Sequence, residues 1–209
     1  MYPLHTAIQI VKDHRKAYLA INLAYYALIV FGMIYAAFDR EAQKSITEAV
    51  GVAFTSGPLQ AVGEAYTGQE FLRAALLTFL INLFFGSLAV LTLPSLAIPF
   101  SGMLVGAYRA ILWGVIYSPE SLQSDAQGFL FAAFIAGLLF LEGQGYILAL
   151  LGVYIQGRAF LYPKRANLER HGQGYLYGLK RTTSLYILVA LVLLVAAIYE
   201  AGVAIAFLP

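Results

Sequence analysis

The amino-acid sequence predicts an all-α, polytopic transmembrane helical bundle of about five spans, with one re-entrant or broken segment and amphipathic helices at its surface. Of its 209 residues, 61% are hydrophobic and only 11% charged; soluble domains sit at roughly 45–50% and about 25%. The charges are clustered, leaving several uncharged runs that reach the ~20 residues needed to cross hydrocarbon. Residues 129–160 form the longest such run, almost unbroken and carrying one acid, Glu142, near its middle.

The length fits a single integral membrane domain, 1–209, with little mass outside the bilayer. There is no cysteine, which excludes disulfide and thiol chemistry. A net charge of +2 carries no signature of nucleic-acid binding. The first 16 residues are mixed and polar, and the run after them is full length with no small-residue cleavage site, unlike a signal peptide.

Leu4, Ala7, Ile8 and Val11 recur at helical spacing and predict a short interfacial helix. The first span follows over residues 17–38, with Asn22 its one strongly polar side chain. Residues 39–72 form an external amphipathic loop. In it Ala42, Ile46, Ala49, Val50, Ala53 and Phe54 make one apolar helical face, Ser56-Gly57-Pro58 ends the helix, and a second short helix covers residues 59–66. This loop is read as a lid on the membrane surface.

The second span runs over 73–93 and the third over 102–117. The linker between them carries Pro94 and Pro99, which forbid a regular helix. It is either a tight turn or a re-entrant segment shielded by protein. Gly102 and Gly106 form a small-xxx-small pattern that permits close helix packing, between copies included. Trp113 and Tyr117 suit the approach to the far interface. Residues 118–127 form a polar loop with Glu120 and Asp125. At 1.5 Å per residue the run 129–160 would extend about 48 Å, too long for one upright helix, so a break or kink is expected near Glu142, Gly143 and Gly145. A basic loop over 158–182 precedes the last span, 184–207, which has Glu200 near its far end.

Lys12, Arg15, Lys16, Arg158, Lys164, Arg165, Arg170, Lys180 and Arg181 fall on one side of five crossings. Asp39, Glu41, Glu48, Glu64, Glu70, Glu120 and Asp125 fall on the other. The positive-inside rule then places the N-terminus in the cytoplasm and the C-terminus outside a cell (inner) membrane.

Arg109 and Glu142 are the charged side chains deepest in the spans, and pairing would lower the cost of both. Three readings stay open: a structural pin, a transport or proton site, or an Arg109 that snorkels to the interface. Asn82, Gln144 and Gln156 read as hydrogen-bonding glue between helices. His5, His14 and His171 lie in polar segments without metal-ligand spacing. No catalytic, cofactor-binding or metal constellation is legible, so no enzyme activity is expected. The basic residues over 158–181 set topology or meet anionic headgroups.

Phe79, Asn82 and Gly86, then a proline-bearing linker, Ser101-Gly102, Gly106, a Phe140-Leu141-Glu142 segment and Gly152, together resemble the stage II sporulation protein M family of small polytopic membrane proteins. The resemblance covers roughly residues 70–160. It implies an inner-membrane scaffold or a small transport component. The leading expectation is a non-enzymatic scaffold that works through membrane-protein partners or as a homodimer in the lipid bilayer. The rival is a small transporter with an intramembrane acidic site formed by Glu142 and Gln144.

Overall fold

The computed structural model describes residues 3–118 and 126–207, and within them the chain is helical with no strand. The order is α1 (Pro3–Asp13), α2 (Arg15–Phe38), α3 (Arg40–Thr55), α4 (Gln60–Thr67), α5 (Phe71–Leu80), a π-helical segment (Ile81–Thr92), α6 (Leu93–Ala97), α7 (Ser101–Ile116), α8 (Ala126–Leu161), a 3-10 turn (Pro163–Ala166) and α9 (His171–Phe207). Glu120 and Asp125 of the expected polar loop lie outside the described residues.

Four stretches are long and apolar enough to cross a membrane: Arg15–Phe38, Phe71–Ala97, Leu130–Leu161 and His171–Ala206. Their outward faces carry large apolar side chains; Leu23 is 76% and Leu72 79% exposed, which suits lipid and not water. The chain is thus an all-α membrane protein. The fifth expected span, α7, has 16 residues. That is about 24 Å of helix, shorter than the ~30 Å hydrocarbon core.

The central helix is α8. In its most apolar window 67% of residues are buried, against 22% to 33% in the other three. Against it runs α9, antiparallel and close. Gly145 leaves room for Leu193, Gly152 for Thr182 and Gly178 for Gln156, and Gly174 sits against the Ala159 carbonyl. The Thr182 hydroxyl donates to the Gly152 carbonyl at 2.9 Å across this seam. The α2–α7 crossing is equally tight, because a Cβ on Gly32 or Gly114 would strike the other helix's backbone. Along α7 the small residues Gly102, Gly106, Ala110 and Gly114 are all buried. Gly102 packs on Leu91 and Ser95, and Gly106 on Leu150. The small-xxx-small face is therefore filled within the chain and is not free to join two copies.

Three expectations need correction. First, α8 does not break near Glu142; it is one helix of 36 residues. Gly143 and Gly145 keep negative φ and serve as contact points, and the polar side chains beside them are bonded sideways to other helices. The departure from α geometry falls instead in the second span, at Ile81–Thr92. Second, the linker at 94–102, expected as a tight turn or a re-entrant segment, forms the turn and adds a short helix before it. It is α6 plus a turn with Phe100 at φ 68°, and Ser95 Oγ accepts from the Gly102 amide at 2.7 Å. Third, the last helix begins at His171, not 184, so half of the basic loop is helix. Gln173 accepts from the amides of Glu169 and Arg170 at 3.0 and 3.2 Å, the glutamine side of a capping box.

The lid has the expected helices. Asp39 caps α3, accepting from the Ala42 amide at 3.0 Å. No residue of α3 is fully buried, whereas α4 buries Val62, Ala65 and Tyr66 against α5 and α9.

Candidate functional site

Arg109 enters the bundle from α7, and Glu142 and Tyr146 face it from α8 one turn apart. The guanidinium Nη2 stands 3.6 Å from Glu142 Oε1. Between them the Tyr146 hydroxyl accepts from Arg109 Nη2 at 2.5 Å and donates to Glu142 Oε1 at 2.5 Å. The guanidinium also lies over the Tyr146 ring, 4.0 Å from its centroid. Arg109 Nη1 donates to the Gly86 carbonyl of the π segment at 3.5 Å. A Cβ at Gly86 would meet both Nη1 and the Tyr146 hydroxyl at 3.0 Å. Three helical segments thus converge on one guanidinium, and glycine is the residue that leaves it space.

Glu142 is the inner member of this cluster, and the Arg109 side chain keeps 19% exposure. Glu142 is 8% exposed. The void beside it, lined by Tyr25, Trp113 and Leu139 among others, holds about 10 Å³, room for roughly one water. The Tyr25 hydroxyl and Arg109 Nε are buried without a hydrogen bond among the described residues. At 1.5 Å per residue Glu142 stands about 24 Å along α8 from Arg158, toward the end of the bundle that carries the lid.

Gln144 points away from this pair, toward α2. Its Oε1 accepts from the Tyr18 hydroxyl, and its Nε2 donates to Asn22 Oδ1 at 2.7 Å and to the Tyr26 hydroxyl at 2.9 Å. Tyr18, Asn22 and Tyr26 recur every four residues and so share one face of α2. The structure therefore does not gather Glu142 and Gln144 into one site. It divides them between two faces of α8. Asn82 lies half-buried in the π segment and makes no side-chain hydrogen bond among the described residues. Gln156 is 1% exposed, packed on Gly178, and neither of its amide atoms is bonded among the described residues.

A second concavity lies under the lid and was not legible in the sequence. It measures about 580 Å³, between Phe54 and Tyr66 of the lid, Tyr117, the first turns of α8, and Glu200 of α9. Forming it requires the lid to fold back over the ends of α8 and α9, which no local pattern announces.

No family model, curated protein or solved structure matches this chain.

Proposed function

We propose that this membrane protein is a non-enzymatic scaffold, which holds partner proteins at the face carrying α3 and α4. The observation that carries this reading is the burial of Glu142: bonded to Tyr146, beside Arg109, with room next to it for about one water. A proton or substrate site needs a path from one side. A rigid framework needs charged pins that fix helix order, and a guanidinium held by three segments is such a pin. The external α3, amphipathic and without a fully buried residue, supplies a surface for a partner. The resemblance to the stage II sporulation protein M family points the same way, and two of the positions that carry it, Gly86 and Glu142, meet at Arg109.

The test is water access. The chain has no cysteine, so Leu139→Cys places a lone thiol at the void beside Glu142. In folded, inserted protein, a membrane-impermeant thiol reagent applied from either side should leave it unlabelled. Labelling from one side, as fast as at an exposed control position, would reveal a hydrated path and replace the scaffold by the transporter.

A further inference from the structure

The concavity under the lid is of ligand size, since small-molecule sites span roughly 300–1,000 Å³ and this one holds about 580 Å³. Its wall is mostly apolar, and five of its 13 lining residues are aromatic: Phe54 and Tyr66 from the lid, Tyr117 beyond α7, Phe131 and Phe134 from α8. Its charged lining residues are both acids, Glu64 and Glu200, and no base lines it among the described residues. Glu64 already has company: Arg73 Nη2 at 3.9 Å and Gln60 Nε2 at 2.9 Å. Glu200 forms no ion pair among the described residues; the Tyr66 hydroxyl is within hydrogen-bonding reach of its carboxyl and also of Thr78 Oγ1, at 3.1 Å.

We infer that this cavity binds a cationic amphiphile, an alkyl chain ending in an ammonium group, with the chain against the apolar wall and the ammonium at Glu200. Each half of the ligand answers a feature of the site. An unpaired carboxylate in apolar surroundings is costly, and a cation beside it offsets that cost. Aromatic faces attract ammonium groups and cover alkyl chains equally well. A small hydrated metal ion would forfeit its water against such a wall, and an anionic or neutral lipid would leave Glu200 without a counter-charge. The assignment does not rest on the scaffold reading; it concerns a separate cavity and is tested by binding alone.

The chain carries its own reporter. Trp113 is its single tryptophan, and its ring stacks on that of Tyr117 with centroids 5.4 Å apart. A terminally brominated undecyltrimethylammonium, titrated into vesicles of zwitterionic lipid holding the full chain, should quench Trp113 saturably. The alcohol of the same chain should bind at least tenfold more weakly, the sulfonate should show no saturable phase, and tetramethylammonium without a chain should also bind at least tenfold more weakly. These comparisons need no variant. Glu200→Gln should weaken the ammonium at least tenfold and leave the alcohol unchanged, and Ala204→Phe, which fills the cavity, should remove the saturable phase. Quenching that rises linearly without limit, equal binding of the three chain-bearing probes, full binding of the chainless ion, or indifference to Glu200→Gln would each overturn the assignment.

Discussion

Arg109 brings a charge into an apolar bundle and is held there by Glu142, Tyr146 and the Gly86 carbonyl together. Removing one partner of such a pair leaves the other buried and uncompensated, which costs about 3–5 kcal/mol. Arg109→Met alone should therefore destabilise the protein by about that amount in mixed-micelle unfolding, and Glu142→Leu alone should do likewise. The double variant should recover most of the loss. If the two penalties simply add, the residues do not work as a pair. His14 makes a prediction outside the membrane. Burial holds its pKa below the ordinary 6.5; nearby Arg181 and Arg158 push the same way and Asp13 opposes them. Below about pH 6.5 the unfolded chain takes up a proton that the folded chain resists, so stability should be level at higher pH and decline as pH falls through that region. Melting temperatures between about pH 8 and about pH 5 should show this decline, and His14→Gln should flatten it. At this scale the pair Arg109–Glu142 was legible because a charge within an apolar run has few places to go. Tyr146 was not, being one of 15 tyrosines, although its position four residues after Glu142 put it on the same helix face. The same four-residue step sets Tyr18, Asn22 and Tyr26 on one face of α2, toward Gln144.

Element existence was the easier reading, and element continuity the harder one. The lid helices follow directly from apolar spacing and from the Ser56-Gly57-Pro58 stop. Whether two glycines beside a glutamate break a helix depends on what packs there; Leu193 lies on Gly145 and Tyr26 beside Gly143, and α8 is continuous through that point. The π segment has a weaker signal: Asn82, Gly86, Ser87 and Thr92 interrupt its apolar residues, and the Gly86 carbonyl accepts from Arg109. The start of α9 could have been read from Gln173, three residues after Arg170. Capping also yields a test for α3. The Ala42 amide, and then the Tyr35 hydroxyl at 2.9 Å, hold the Asp39 carboxyl below its usual range. Its support is thus complete above the unfolded value near 3.8 and is lost as pH falls. Asp39→Ala should speed hydrogen exchange severalfold in the first turn of α3 near neutral pH while leaving α8 unchanged. Equal exchange in that turn would mean that packing on α7, not the cap, starts the helix.

For the molecule as a whole, the deciding question is whether the 16-residue α7 crosses the bilayer. The clustering of charge argues that it does, because only an odd number of crossings between the lid and the basic segment puts acids and bases on opposite sides. Its shortness argues the other way, about 24 Å against ~30 Å. Packing bears on the conflict. α7 is pinned to α2 through Gly32 and Gly114, to the π segment and α6 through Gly102, and to α8 through Gly106, so it follows its neighbours along the bundle. A short helix held in this way is accommodated by local thinning or by flanking aromatic residues such as Trp113 and Tyr117, at a modest cost. Two glycines allow a direct test, because a side chain at Gly51 of α3 or at Gly172 in the first turn of α9 would meet nothing within 4 Å. Gly51→Cys and Gly172→Cys should fold as the parent does, each with one thiol in a chain that otherwise has none. Between the two positions lie the span Phe71–Ala97, the helix α7 and the span Leu130–Leu161. If α7 crosses, Gly51→Cys reacts with an impermeant reagent from outside intact cells, and Gly172→Cys reacts only after permeabilisation. If α7 stays on one side, both thiols react from the same side, and the arrangement of basic and acidic segments about the membrane fails with it.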